Sequence, residues 1–465
     1  MILVKRRYFL LALLGFCLAL ARPALALTDE QKAEAIINAS PVVQKIRQSF
    51  KADYGNLSFF VEGLTGSLSE LPSAKREWSN NDIMPFIRGG KRSFKGGGSL
   101  SRIMVLLDQE GRAKSVVSER SVTVPGEFID AISDTQHLKL SSANFLDSTI
   151  DLSSFDQLKR LDIAFSENAE QIILPKSGRV EKIILFQEGL KRVTNLGRQK
   201  SLSLFKSTAE KAKGLDELNG NPFLKNVYIH LADSSLDIGS LTNLEKLWVE
   251  APRYENISKL SKLDRLELLM LDGLSGDGFS NIVFPKNIKK ISMYNIGSNN
   301  FPKIQDLPKL KQLVLHSIKD DIFKNTQNLP SLQELLILGS NLPVLNGIEK
   351  LPSLKKITIK NSNIVDASAL VKLPNLKKVF LQNNNLEEIN VVSKMPWLEI
   401  IDVTFNRLRI LPKLQPGNSL KRISFSYNPI ETIDPEVLKS YSNVQKFPFE
   451  TPYYNNLTKK QRLNF

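Results

Sequence analysis

The sequence predicts a repeat solenoid of the α/β type. A parallel β-sheet lines its concave side, 3₁₀ and extended segments form its convex side, and a small α+β domain precedes the repeats. Three observations lead to this prediction: a Leu-Pro dipeptide recurs at a fixed interval, each interval carries the apolar spacing of one short strand, and apolar residues then fall at every third position. A period of about 20 to 50 residues is typical of units that bury their apolar faces only against one another.

The dipeptide series sets the period. Its members are 22 residues apart and comprise Leu307-Pro308, Leu329-Pro330, Leu351-Pro352, Leu373-Pro374 and Met395-Pro396. Extended in both directions with spacings of 19 to 25 residues, the repeats cover residues 135–450, and residues 451–465 form a C-terminal tail. We place the first positions of the units at Thr135, Leu158, Val180, Gln199, Leu224, Leu244, Leu263, Ile288, Leu310, Leu332, Leu354, Leu376, Leu398, Leu420 and Val444. The fourth of these units also fits a frame that starts at Leu202.

Each unit contains one short strand followed by a turn. In the unit from Leu376 to Asn384, the fourth and sixth residues, Val379 and Leu381, are apolar and point inward, because alternate residues of a strand face opposite sides. The ninth residue is Asn in the last units, where its amide can satisfy backbone groups as the chain turns. Apolar residues at every third position after the turn favour a 3₁₀ helix.

These residues resemble the leucine-rich repeat family, and the resemblance covers about two thirds of the chain. Within that family, units of 22 residues that end in Leu-Pro are most similar to those of the bacterial internalins. The resemblance implies a horseshoe whose concave sheet binds a partner, preceded by a helical cap. It implies no catalytic activity.

Residues 1–26 have the features of a secretory signal peptide. A basic start (Lys5, Arg6, Arg7) precedes an apolar run, and Ala24-Leu25-Ala26 is an A-x-A cleavage site. We expect cleavage after Ala26, with an uncleaved anchor or a lipoprotein as the alternatives. The mature chain then has no cysteine and no transmembrane segment, and it is secreted or periplasmic. The lack of disulfide-bonded caps favours a bacterial source.

Residues 27–134 are predicted to form the α+β capping domain. Two helices are expected, from Asp29 to about Asn38 and from Pro41 onward, followed by a strand from Asn56. A hairpin is expected around residues 109–112, and a short helix from Gly126 to Ser133. A glycine-rich basic segment at residues 89–98 is expected to be a loop.

The formal net charge is +15 at pH 7. The signal peptide contributes four basic residues, and residues 27–134 carry equal numbers of acidic and basic residues, so the excess lies in the repeats. An exported basic protein meets little nucleic acid, so an anionic envelope or host-surface component or an acidic protein is the expected counterpart. A generally solvated basic exterior is the alternative.

Aromatic and histidine side chains recur at the fifth and seventh positions, which face outward on the concave sheet. The predicted partner-binding residues are Phe186, Phe205, Tyr228, His230, Trp248, Tyr294 and Phe380. Exposed aromatic residues of this kind favour a protein-binding surface. Alternatively, the N-terminal domain, a loop or a second copy covers them, or an error in the frame turns some of them inward.

The third position is often basic. The residues concerned are Arg160, Lys182, Lys246, Arg265, Lys290, Lys356, Lys378, Arg422 and Lys446. A ladder of these side chains along the sheet would suit an anionic glycan or lipid head group. The alternative is that they serve solubility alone.

The sequence gives little support to catalysis, and we expect no enzyme activity, no cofactor and no metal site. There is no G-x-S-x-G, H-E-x-x-H or Walker sequence. The histidines are His137, His230 and His316, and the last two lie four units apart, about 19 Å at strand spacing. They are therefore too distant to share one metal ion.

Overall fold

The structure is a computed structural model that describes residues 29–49, 57–61, 102–119, 122–166, 168–209, 212–231, 236–252, 254–274, 278–297, 301–458 and 462. The predicted signal peptide and the glycine-rich segment at residues 89–98 lie outside these residues. The chain divides into two compact units, Met1–Ala169 and Glu170–Phe465, which are described separately. The boundary predicted between residues 134 and 135 stays a prediction. None of the described helices is long and apolar enough to cross a membrane.

The first unit begins with two helices, α1 (Asp29–Ala39) and α2 (Pro41–Ser49), close to their predicted positions. Val43 and Ile46 form the buried side of α2. A third helix, α3 (Gly126–Ala131), buries Phe128 and Ile129. The strands of this unit are β1 (Leu57–Val61), β2 (Arg102–Leu107), β3 (Ala113–Glu119), β4 (Val122–Val124), β5 (His137–Ser141), β6 (Ala143–Phe145), β7 (Thr149–Asp151) and β8 (Arg160–Ala164).

The predicted hairpin in the first unit is confirmed. Strands β2 and β3 pair antiparallel around a turn in which the Asp108 carboxylate accepts hydrogen bonds from the Glu110 and Arg112 backbone N–H groups. Strand β1 pairs in parallel with β2, and β3 pairs in parallel with β5, which pairs in parallel with β8. The hairpin therefore lies in the same sheet as the first repeat strands.

The second unit is a stack of coils, each of which contributes one strand to a common parallel sheet, and some coils carry a further short strand outside this sheet. Its strands are β9 (Gln171–Ile173), β10 (Lys182–Phe186), β11 (Arg192–Thr194), β12 (Leu204–Ser207), β13 (Asn226–His230), β14 (Lys246–Glu250), β15 (Leu268–Asp272), β16 (Lys290–Tyr294), β17 (Ile304–Gln305), β18 (Gln312–His316), β19 (Thr326–Gln327), β20 (Glu334–Leu338), β21 (Lys356–Lys360), β22 (Lys378–Phe380), β23 (Ile400–Asp402), β24 (Arg422–Ser424) and β25 (Gln445–Phe447). Strands β10, β12 to β16, β18 and β20 to β25 pair in parallel in chain order.

The core of this unit lies between the parallel sheet on one side of the coils and the short helices and extended segments on the other. The fourth and sixth residues of each coil point inward, and Val379 and Leu381 are both fully buried. In the register of the sheet Val379 lines up with Ile357 on one neighbouring strand and Ile401 on the other, so equivalent residues stack from coil to coil. The fold is therefore a leucine-rich repeat solenoid, as the sequence predicts.

The opposite side of the coils is formed by short helices and extended segments. The 3₁₀ helices are Leu196–Arg198, Leu215–Leu218, Ile238–Ser240, Leu260–Lys262, Phe279–Asn281, Ile348–Lys350 and Ser368–Lys372. The α-helices of this unit are α4 (Tyr254–Ile257), α5 (Val391–Lys394), α6 (Pro435–Ser440) and α7 (Pro452–Asn455). This agrees with the predicted 3₁₀ and extended convex side.

The ninth-position asparagines have the predicted role. The Asn384 amide donates to the carbonyl groups of Ile359 and Leu381 at 2.8 and 3.0 Å, and its oxygen accepts from the backbone N–H groups of Ser362 and Ile364. Asn406 and Asn428 make equivalent bonds in the next two coils. In the middle coils the buried residues Ile296 and Ile318 take this position instead.

Two predicted frames are wrong by three residues. Phe205 aligns with the inward residues Ile183 and Val227 and is fully buried, so the fourth unit starts at Leu202. Likewise, β15 aligns Leu268 with Lys246, so its unit starts at Leu266 and Arg265 precedes the strand. Phe205 is a core residue, and Arg265 does not belong to the third-position ladder.

The last unit is shifted by one residue. Lys446 aligns with the inward residue Ile423, so it occupies the fourth position and not the third. Its ammonium group donates to the carbonyl groups of Tyr441 and Val444, each at 3.0 Å. Burial lowers the pKa of Lys446.

Candidate functional site

The concave sheet of the second unit brings three of the predicted aromatic residues together. Tyr228 and Trp248 are neighbours in the register of β13 and β14, and their rings meet edge to face with centroids 4.6 Å apart. The ring of Phe186 meets the other side of Tyr228 at 5.9 Å, again edge to face. We call Phe186, Tyr228 and Trp248 the aromatic cluster.

Tyr228 lies at the centre of the aromatic cluster and is held by a carboxylate. Its hydroxyl donates to Glu250 Oε1 across 2.7 Å, and only 5% of the residue is exposed. Burial, followed by the charges of Glu250 and Asp272, raises the pKa of Tyr228 well above its usual value of 10.0. Tyr228 thus stays neutral and fixed, and the prediction that it is an exposed contact residue is wrong because Phe186 and Trp248 pack against it.

Trp248 carries the unsatisfied polar group of the aromatic cluster. Its indole Nε1 is buried and has no hydrogen-bond acceptor among the described residues. A buried donor without a partner costs about 1 to 3 kcal/mol. The fully buried Ser292, two strands further along the fifth position, also has a hydroxyl without a partner in the described part of the chain.

Two carboxylates border the aromatic cluster, and sequence reasoning missed both. Glu250 and Asp272 are direct neighbours at the seventh positions of β14 and β15, next to His230 on β13. The Asn295 amide donates to Asp272 at 2.8 Å. Glu250 is at the seventh position of its unit in the predicted frame. Asp272 reaches the seventh position only when its unit starts at Leu266, so the frame predicted from Leu263 placed it outside the outward positions.

The remaining predicted aromatic residues are separate from the cluster. Tyr294 and His316 are neighbours on β16 and β18 with ring centroids 5.9 Å apart, and His316 Nδ1 lies 3.0 Å from the Ser317 hydroxyl. Phe380 is six strands from Trp248, about 29 Å at strand spacing. The predicted surface is therefore one compact cluster, one neighbouring pair and one distant ring.

The third-position residues of the second unit do not form a continuous basic ladder. The basic residues Lys182, Lys246, Lys290, Lys356, Lys378 and Arg422 are interrupted by Leu204, Asn226, Leu268, Gln312, Glu334 and Ile400. Lys356 and Lys378 are adjacent, and the Arg422 guanidinium lies 4.5 Å from the centre of the Phe447 ring.

Arg160, in the first unit, is neutralised by a neighbour. Its guanidinium forms an ion pair with Asp162 at 2.8 Å, and the Asp162 side chain is only 8% exposed. This leaves Arg160 poorly suited to hold an external anion.

The described part of the chain contains no arrangement typical of a metal site. Among these residues, no group of three or more His, Cys, Asp or Glu side chains is placed to hold a metal ion. His230 and His316 lie four strands apart on the sheet, about 19 Å. What the concave face offers is an aromatic surface bordered by two carboxylates.

Comparison with known proteins finds similarity only among solved structures. No protein-family model matches the chain, and no curated protein matches it. An internalin, InlF, from Listeria monocytogenes is 15% identical with a TM-score of 0.42, over 72% of this chain and 86% of that chain. A leucine-rich repeat protein of Leptospira interrogans is 18% identical with a TM-score of 0.43, over 70% and 89%.

A third similar structure is a TLR13-ssRNA13 complex, which is 19% identical with a TM-score of 0.47, over 76% of this chain and 55% of that chain. At these identities and TM-scores the chains differ widely in detail. Nothing about a ligand or partner passes from them to this protein.

Proposed function

We propose that this protein is an exported, non-catalytic scaffold that binds another protein through the concave sheet of its repeats. A solenoid offers an extended surface of this kind because each coil adds one strand to the same side. The observation that carries the proposal is the aromatic cluster, in which the half-buried Trp248 ring packs edge to face against Tyr228 on the concave sheet.

The energetics of protein interfaces support this location. Interfaces owe most of their affinity to a few Trp, Tyr and Arg residues held in a packed setting. Trp248 is held by Tyr228, which is in turn fixed by Phe186 and Glu250. A rigid anchor loses little conformational entropy on binding.

Photo-crosslinking tests the concave face directly. A benzophenone amino acid is placed at Phe186 in the full chain, and the matched control places it at Val283, which is exposed and lies outside the sheet. We expect a discrete cross-linked product from position 186 and not from position 283. The product should disappear when Trp248→Ala is added. A product that persists in that variant would overturn the role of the cluster.

Salt dependence distinguishes a protein contact from recognition of an anionic group. Exposed charges are screened within about 4 to 5 Å at 0.5 M salt. Cross-linking through the aromatic cluster should survive that concentration, whereas binding by Lys356 and Lys378 should not.

Export is tested separately by sequencing the N-terminus of the protein isolated from the producing cells, and we expect it to begin at Leu27.

A further inference from the structure

The eighth residue of the coils has a left-handed backbone. In the second unit this holds for Ala251, Gly273, Asn295, Ser317, Gly339, Asn361, Asn383, Phe405, Tyr427 and Glu450, with φ between 42° and 72°. Gly and Asn adopt this conformation readily, but other side chains crowd the backbone there. Asn361 and Asn383 therefore need no special explanation, whereas aromatic residues in the next two coils do.

Phe405 and Tyr427 occupy this unfavourable position and remain exposed. Their φ angles are 57° and 55°, and 51% and 47% of their surfaces are accessible. Their rings are stacked face to face, with centroids 4.1 Å apart and planes 5° from parallel. The coil imposes this backbone on residues of other types as well, Ser317 and Glu450 among them, so what distinguishes Phe405 and Tyr427 is that two large rings remain exposed there.

The coils before the stack present uncharged amides along the same edge. Asn383 is bonded through its backbone N–H to Thr404, next to Phe405, and its side chain donates to Asn361 at 2.6 Å. At the tenth position of the coils, two residues after the eighth, the Asn363 side chain donates to Asn341 at 3.3 Å. We call Asn341, Asn361, Asn363, Asn383, Phe405 and Tyr427 the amide–aromatic strip.

The chemistry of this strip fits a neutral glycan. A pyranose ring offers a C–H face that packs on an aromatic ring, and its hydroxyl groups pair with amides, which both donate and accept. An anionic polymer would require a series of cations, whereas no eighth-position residue from Asn295 to Tyr427 is charged and the tenth positions from Asn341 to Arg407 hold a single cation, Arg407. Coils spaced about 4.8 Å apart repeat the same amides at regular intervals, as a chain of similar sugars requires.

We propose that the amide–aromatic strip is a binding site for a neutral polysaccharide, with Phe405 and Tyr427 as its stacking platform. The site is separate from the aromatic cluster of the concave sheet. It makes no use of the basic third-position residues.

The test is binding of the full chain to dextran, amylose and laminarin by affinity electrophoresis, with heparin as a charged probe. The key variant is Phe405→Asn with Tyr427→Asn, because Asn suits the left-handed backbone and is used by the preceding coils. We expect the wild type to bind at least one neutral polysaccharide and the double variant to bind it at least about tenfold more weakly. Ile410→Asn is the control, since Ile410 is 62% exposed and lies outside the strip.

The thermal stability of the double variant shows whether the rings serve the fold instead. We expect its Tm to equal or exceed that of the wild type, because backbone strain is relieved. A clear fall in Tm, binding to heparin alone, or neutral binding that the double variant retains would each overturn the proposal. So would loss of self-association in the double variant without any binding to the neutral polysaccharides, since a second copy would then be the occupant.

Discussion

The Tyr228 hydroxyl donates to Glu250 Oε1 across 2.7 Å, from one strand of the concave sheet to the next. The bond joins the most buried ring of the aromatic cluster to a carboxylate at its border. Burial, followed by the charges of Glu250 and Asp272, raises the pKa of this phenol, so Tyr228 keeps its proton.

This arrangement predicts a loss of stability at alkaline pH. The folded chain keeps the Tyr228 proton where the unfolded chain releases it, so the stabilisation is complete below the usual pKa of 10.0 and falls as the pH rises above it. Tyr228→Phe should therefore show a shallower fall in the free energy of unfolding between about pH 8 and pH 10.5. Urea titrations at both pH values measure this difference. Parallel pH dependences in the two proteins would contradict the assignment.

The asparagine ladder should be a major source of stability in the last coils. Asn384→Ala removes the partners of buried backbone groups at Ile359, Ser362 and Ile364. We expect the free energy of unfolding to fall by about 2–4 kcal/mol, since each unpaired buried group costs about 1–3 kcal/mol. Denaturant unfolding measures the loss. Asn281→Ala, at an exposed Asn in a 3₁₀ helix, is the control and should change stability by less than about 0.5 kcal/mol.

Two phenylalanines distinguish the observed register from the predicted one. Phe205 is in the core, so Phe205→Ala should destabilise the protein by about 3–5 kcal/mol. Phe186 lies half-buried on the concave surface, so Phe186→Ala should cost about 1 kcal/mol, mainly the contact with Tyr228. Thermal or chemical unfolding of both variants checks this order. Equal losses would be incompatible with the observed register.

Lys446 should protect the end of the sheet. It points inward on β25, the last described strand, and Pro448 follows shortly after. An inward charge on an edge strand discourages pairing with another chain. Lys446→Leu should therefore raise the apparent mass in light scattering as concentration increases. Gln445→Leu adds the same side chain at the outward neighbour and should leave the mass unchanged. If Lys446→Leu also leaves it unchanged, the protective role is disproved.

Much of the fold follows from local spacing. The 22-residue interval, the inward pair Val379 and Leu381 and the ninth-position Asn384 all repeat over several coils, so each confirms the others. A strict period leaves only one way to stack such coils.

The register of two units could not be predicted because their leucines suit two frames. Leu202 serves equally well as a first or a fourth residue, and so does Leu266, so a shift of three residues preserves the apolar pattern. Only pairing with neighbouring strands decides between them, and that pairing is a contact between residues about twenty positions apart. Phe205, Arg265 and Asp272 were misplaced for this reason.

Part of the candidate site could be predicted and part could not. Tyr228 and Trp248 were identified because the frames predicted for their two units, which start at Leu224 and Leu244, match the observed register. That Tyr228 would be buried depends on its contacts with Phe186 and Glu250, which lie on other strands. The stacked pair Phe405 and Tyr427 was missed because a left-handed backbone has no signature in apolar spacing.

The asparagine ladder also has a direction. The amides of Asn384, Asn406 and Asn428 donate to carbonyl groups of the preceding coil, and their oxygens accept from its turn. The turn of each coil in this region is therefore held by an asparagine side chain of the next coil. Removal of a coil from the C-terminal end would therefore leave the turn of the preceding coil without its asparagine partner, whereas removal from the N-terminal end would leave the turn of the next coil bonded.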